Sequence, residues 1–194
     1  MVRYSVTSAS SQLLATIEKL AGTQRNTTFR MAAELAIRMR PRRIVETGCY
    51  RGIQWDGQST KILSLLGKRI GASVHSVDVS QDSIDRAKSL LGPVEQCSVT
   101  FHHSDSVTFL STFMREIGFL YLDSLDFDPE NPDPAQRHQL AEVNAIAPYL
   151  ATNAIVLLDD SGVPGGGKAM LSTPRLVELG FKIQFDSYQR LLIR

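Results

Sequence analysis

Apolar residues recur every three or four positions through residues 8–40: Leu13, Leu14, Ile17 and Leu20, then Phe29, Met31, Ala32, Leu35, Ala36 and Met39. This is the period of a helix with one buried face, broken near residues 22–26, so two leading helices are expected. After Pro41 the period shortens. β-Branched runs that close in small or polar residues alternate with helix-like stretches: 43–46 (RIVE) before 61–70, 74–79 (VHSVDV) before 82–91, 99–102 before 107–114, 119–122 (FLYL) before 134–150, and 154–158 (AIVLL) before 168–179. Parallel strands need crossover helices, and right-handed crossovers lay them on both faces of one sheet. Residues 181–185 and 190–193 are also strand-like, but the intervening 186–189 cannot hold a crossover, so the chain should end in an antiparallel hairpin. The expected architecture is therefore α/β: a doubly wound, mostly parallel seven-stranded sheet with a terminal antiparallel hairpin. Residues 41–194 read as one Rossmann-like domain and residues 1–40 as a helical N-terminal extension.

The 194 residues carry 21 Lys+Arg against 20 Asp+Glu, a formal net charge of +1. Such balance excludes a polyanion binder driven by bulk charge, and no nucleic-acid partner is expected. A hydrophobic share of 43% and a charged share of 21% suit a self-sufficient core. Cys49 and Cys97, the only cysteines, are too few for a disulfide framework or a four-ligand zinc site, which suits a reducing compartment. No apolar run approaches the roughly 20 residues of a membrane span, and MVRYSVTSASSQ lacks the apolar stretch of a secretory signal. A cytoplasmic protein with no membrane partner is expected.

In an open parallel sheet ligands bind beyond the carboxyl ends of the strands, near the point where strand order reverses. The residues at those ends are Glu46 to Gly52, Asp78, Ser104 to Ser106, Asp123 to Asp126, and Asp159 with Asp160, so every strand end carries a carboxylate. Capping of the following helices explains any one of them. Five in succession would repel one another and resist desolvation unless a ligand or ion compensates. Gly48 and Gly52 permit a tight turn, but Tyr50 stands where the dinucleotide fingerprint has its middle glycine, and Glu46 is repulsive to phosphate. Asp78 follows Gly57 by about twenty residues, the usual spacing of a ribose-binding acid.

The segments VETGCYRG, GQST, VHSVDVS, HSDSVTFL, FLYLDSLDFD and IVLLDDSG, in that order, resemble the successive motifs of the class I S-adenosylmethionine-dependent methyltransferases. More closely they resemble the small O-methyltransferase-like branch with macrolide-sugar and catechol-type enzymes. The resemblance spans about residues 41–194, the methyltransferase domain on this reading. It implies S-adenosylmethionine as cofactor, with Glu46, Gly48 and Gly52 at its methionine part, Tyr50 and Ser59 in the same motifs, Asp78 on the ribose, Asp105 and Ser106 at the adenine, and Asp123 beside the transferred methyl. Departures are Tyr50 for the central glycine, an insertion-like stretch at residues 53–56, and Ser124-Leu125-Asp126 where the branch continues Asp-His-Ser-Tyr after its acid. The implied reaction is methyl transfer to a hydroxyl of a small molecule; sugar, phenol, polyketide and amino acid acceptors all stay open. A nucleotide-dependent oxidoreductase and a non-catalytic binding module of the same fold are the alternatives, the first disfavoured by Tyr50 and the hairpin.

Asp123, Asp159 and Asp160 offer hard oxygen ligands suited to Mg²⁺. Catechol-type relatives carry Asp, Asp and Asn at the matching positions, which by resemblance makes Asp160 a third ligand. Crowded carboxylates cannot all stay ionised unaided, so either a metal sits among them or one is protonated and serves as acid or base. Lys168 has two readings: solvent-facing, or the one fixed cation near these acids. The general base is Asp123 or His138, the latter weighed against a solvent-facing helix position. His75, His102 and His103 read as structural, and Trp55 as the anchor of its loop or a lid. The proline-rich residues 126–134 form a loop that borders the site. The apolar face of the leading helices suits a cap over the site or a homodimer contact.

Overall fold

The leading periodicity folds as α1 (Ser8–Ala21) and α2 (Asn26–Met39). The alternation that follows gives β1 (Arg43–Thr47), α3 (Ser59–Ile70), β2 (Ser73–Asp78), α4 (Gln81–Leu90), α5 (Pro93–Gln96), β3 (Val99–His103), α6 (Ser106–Thr112), β4 (Ile117–Leu122), α7 (Asp133–Ile146), β5 (Leu150–Leu158), α8 (Ala169–Glu178), β6 (Lys182–Asp186) and β7 (Arg190–Ile193). This is a computed structural model, and it describes residues 8–51, 57–96 and 98–194.

The seven strands form one sheet in the order β3-β2-β1-β4-β5-β7-β6. The pairs from β3 to β5 are parallel, and β7 runs antiparallel between β5 and β6, which is the expected terminal hairpin. Chain order runs outward from β1 to β3 and then returns to β4 beside β1, so the strand order reverses between β1 and β4 and opens a crevice at their carboxyl ends.

Alternation along each strand divides two cores. Ile44, Phe119, Tyr121, Ile155 and Leu157 face α1, α2 and α3, whereas Val45, Leu120, Leu122, Val156 and Leu158 face α6, α7 and α8. Leu14 and Ile17 of α1 and Phe29, Ala32 and Ala36 of α2 belong to the first core, so the apolar stripe of the leading helices is buried against the chain's own sheet. β5 begins earlier than its apolar run, because Leu150 pairs with Ile117 across an irregularity beside Gly118. A Cβ at Gly118 would lie 2.6 Å from Pro41 Cβ, and glycine lets the strand pass. The single turn of α5 is too short for a periodicity to announce. Among the described residues no helix is long and apolar enough to cross a membrane.

Candidate functional site

A cavity of about 510 Å³ opens at the carboxyl ends of β1, β2 and β4. Its floor depends on Gly48, whose φ is +78°. A Cβ there would meet the Asp123 carbonyl oxygen at 2.2 Å, so only glycine lets the end of β1 lie against that of β4. Gly48 N donates to Val77 O at 2.8 Å and Asp123 N to Thr47 O at 2.9 Å, which stitches the three strand ends together.

Asp78, Asp105 and Ser106 line one half of the cavity. The Asp78 carboxylate accepts Cys49 N–H on Oδ2 (3.0 Å) and Ser80 N–H on Oδ1 (2.7 Å), both neutral backbone donors. The Cys49 thiol also donates to Oδ2, at 3.4 Å, and none of the three donors carries a charge. Asp105 caps α6 by accepting Thr108 N–H at 2.8 Å, and that bond holds its carboxyl below the usual range. Ser106 Oγ lies 2.9 Å from His138 Nε2. His138 is thereby turned toward the cavity and not to solvent, its side chain 23% exposed. Beneath it Glu142, which the sequence reading passed over, accepts the Ser124 hydroxyl on Oε1 at 2.8 Å and has no partner for Oε2 among the described residues. Cys49 also lines the cavity, but burial pushes its thiol up and it is no thiolate.

Tyr50 and Ser59 line the cavity as well, whereas Glu46 does not. Glu46 is fully buried beneath the loop, its Oε2 accepting from Thr60 Oγ1 (2.8 Å) and Ser76 Oγ (2.5 Å). Thr60 in turn accepts the Tyr50 N–H at 3.0 Å, so Glu46 supports the loop from below. Burial pushes its carboxyl up to about 7. Gly52, Trp55, the insertion-like residues 53–56 and Cys97 lie outside the described residues. His75 and His102 form a packed pair, Nδ1 to Nε2 3.1 Å, away from the cavity, in keeping with a structural role.

At the other half, Asp123, Asp159 and Asp160 do converge, with one oxygen from each within 4.8 Å of the others. They are not alone. Arg25, from the break between α1 and α2, grips Asp159 through Nη2 (2.7 Å) and Nε (3.1 and 3.2 Å), with Gln189 Nε2 on Asp159 Oδ1 at 2.7 Å. Lys168 Nζ bridges Asp123 Oδ1 (2.8 Å) and Asp160 Oδ2 (3.0 Å). Tyr121 donates to Asp123 Oδ2 at 3.1 Å and Tyr188 donates to Asp160 Oδ1, while the Arg25 guanidinium lies 4.7 Å above the Tyr188 ring. Lys168 is 2% exposed, which settles its two readings in favour of a fixed cation. The glycines before it form no phosphate cradle. A Cβ at Gly167 would lie 2.0 Å from Asp160 O, so they close the turn that brings Lys168 inward.

Burial, then the neighbouring Asp159, pushes Asp123 well above the carboxylate range, against the pull of Lys168. Burial also works on Asp160, but there Lys168 and the Tyr188 hydroxyl prevail and hold it low. Three carboxylates thus face two cations, and Asp123, the member that lines the cavity, is the one whose hold on a proton is raised. Mg²⁺ or Ca²⁺ needs about six to eight oxygen ligands with free lone pairs. Here every oxygen of the cluster already meets a donor, two of which are full cations, so the folded arrangement does not fit a divalent metal.

No protein-family model matches the chain, and no curated protein matches it by sequence. Solved structures do match by shape. A methyltransferase from Geobacter sulfurreducens aligns at TM-score 0.59 with 18% identity over 94% of this chain and 87% of that one. The O-methyltransferase TomG from Streptomyces achromogenes, in complex with SAM, aligns at 0.57 with 14% identity over 94% and 89%. An O-methyltransferase from Bacillus cereus, in complex with SAH, aligns at 0.59 with 12% identity over 96% and 91%. The chain has the class I methyltransferase fold.

Proposed function

We propose that this chain is an S-adenosylmethionine-dependent methyltransferase that acts on a hydroxyl of a small molecule. The observation that carries the reading is the division of one cleft into a half that offers open acceptors, Asp78 beside Asp105 and Ser106, and a half that ends in the protonatable Asp123. The solved structures that share the fold, two of them described with SAM or SAH bound, support the same cofactor.

Asp78 suits ribose hydroxyls, because its donors, the Ser80 N–H on Oδ1 and the Cys49 N–H and thiol on Oδ2, are all uncharged and leave its charge for a ligand. Ser106 and the Asp105 cap bound the wall where an adenine would lie, and the Gly48 turn lets the backbone come close to a ligand. When bound, S-adenosylmethionine supplies a methyl group on a sulfonium sulfur, and its transfer to oxygen leaves the neutral thioether S-adenosylhomocysteine. Alignment of the two reactants supplies much of the acceleration. Asp123 receives the proton that the acceptor hydroxyl loses, at the carboxylate whose affinity for a proton the fold has raised. It does so only when it starts unprotonated, so turnover should climb with pH. The acceptor enters past the proline-rich loop after β4, where Arg51 Nη1 donates to Asp126 Oδ2 at 2.8 Å and joins that loop to the glycine turn. His138, on Ser106, stands at the adenine half and is the less suited base.

The test is transfer of labelled methyl from S-adenosylmethionine to a panel of sugars, phenols and polyketide alcohols. Turnover on at least one class, with Asp123→Asn slower by about 10²-fold, is expected. Silence on every class, or an Asp123→Asn variant as fast as the parent, would count against the reading.

A further inference from the structure

The acidic cluster is neutralised by two buried cations of the chain itself, Arg25 and Lys168, and the way the second is placed points past methyl transfer as such. We propose that the Lys168 ammonium is a built-in cation that takes the place of a divalent metal between Asp123 and Asp160, so that the site positions Asp123 and works without a metal ion.

The geometry is that of a bridging cation. Nζ stands 2.8 Å from one carboxylate and 3.0 Å from the other, at 3% side-chain exposure, and the opposite oxygens of the same two carboxylates accept the hydroxyls of Tyr121 and Tyr188. Arg25 and Gln189 complete the third carboxylate, Asp159. Lys168 is also held at its root. Its backbone N–H donates to Asp160 O at 3.0 Å, and Gln136 of α7 clamps the preceding glycine turn through Nε2 bonds of 3.1 Å to the carbonyls of both Gly165 and Gly167. A metal could enter only by evicting an ammonium tethered at both ends from a buried place. Without Lys168, Asp123 and Asp160 would face each other across a vacated position open to a divalent cation. Lys168 does not line the cavity, so it acts on the reaction through Asp123 and is a positioning residue.

The experiment is a Mn²⁺ titration of the full chain by calorimetry, paired with melting curves in chelator and in Mn²⁺, for the parent, Lys168→Met and Lys168→Arg. The parent should bind no Mn²⁺ and melt within about 1 °C in either condition. Lys168→Met should melt lower in chelator and recover by about 3–6 °C when Mn²⁺ exceeds its Kd about tenfold. Lys168→Arg should stay indifferent to metal. Saturable Mn²⁺ binding by the parent that Asp160→Asn abolishes would overturn the proposal, and so would a folded Lys168→Met that gains nothing from Mn²⁺. Should Lys168→Met not fold, the parent titration decides alone. A chain that binds neither S-adenosylmethionine nor Mn²⁺ would remove the methyl-transfer reading and leave Lys168 as assigned. One that binds the cofactor but turns over only with Mn²⁺ would do the reverse.

Discussion

Asp78 and Asp159 each end a parallel strand region of the same sheet, yet one carboxylate opens on the cleft and the other is sealed from it. Asp78 is held by two backbone N–H groups of its own neighbourhood, Cys49 and Ser80, which orient it without cancelling its charge. Asp159 is held by a guanidinium and an amide from the far ends of the chain, Arg25 and Gln189, which use up its oxygens. Neutral donors leave a charge to be spent on a ligand, whereas a cation in the fold removes it. The β1–β2 half therefore presents an uncancelled carboxylate to the cleft and the β4–β5 half ties its own together, with Asp123 at the border between them.

The largest expected effect breaks the sealed half. Arg25→Met leaves the buried Asp159 without its cation and should cost about 3–5 kcal/mol in urea unfolding, with less lost when Asp159→Asn accompanies it. A single-variant cost below about 1 kcal/mol would mean that Asp159 is not stabilised by its ion pair.

The open half should respond in the opposite currency. On the proposed function, Asp78→Ala should remove a charge-assisted contact to the cofactor worth roughly 1.5–3 kcal/mol, hence about ten- to a hundredfold in S-adenosylmethionine affinity, while the urea midpoint barely moves. A large loss of stability with affinity intact would reverse the comparison.

A smaller effect sharpens the support beneath the loop. Burial pushes the Glu46 carboxyl up to about 7 from an ordinary value of 4.5, so between those two values the native state keeps a proton that the unfolded chain has lost. Its contribution to stability falls as pH rises through that window and is flat above it. Glu46→Gln should accordingly stabilise the protein by about 1–2 kcal/mol near pH 8 and by almost nothing near pH 4, read from paired denaturation curves. Equal effects at both values would show that the buried carboxyl carries no such penalty.

The same division explains what could be read from the chain beforehand. The sheet and its hairpin were legible because the change from helical spacing to short β-branched runs, and a connection too short for a crossover, constrain topology strongly. Gly48, Asp78, Asp105 and Ser106 were legible because element order alone places strand ends, and their partners are local. Arg25 gave no signal: it sits in a helix break, and Asp159 lies 134 residues away. Tyr188 and Gln189 belong to the hairpin turn and announce nothing about the acids they satisfy. The place of Glu46 follows from strand alternation, which puts it on the face of Ile44, under α3 and outside the cavity lining. The start of β5 was hidden by the exposed Thr152 and Asn153, and is decided by pairing across the bulge at Gly118.

On the proposed function, the open half of this cleft takes S-adenosylmethionine. Isothermal titration of the parent chain with S-adenosylhomocysteine and, separately, with NADH tests it most directly. One-to-one binding of S-adenosylhomocysteine, weakened about ten- to a hundredfold by Asp78→Ala, with no heat from NADH, is the predicted result. Binding of NADH alone would contradict it.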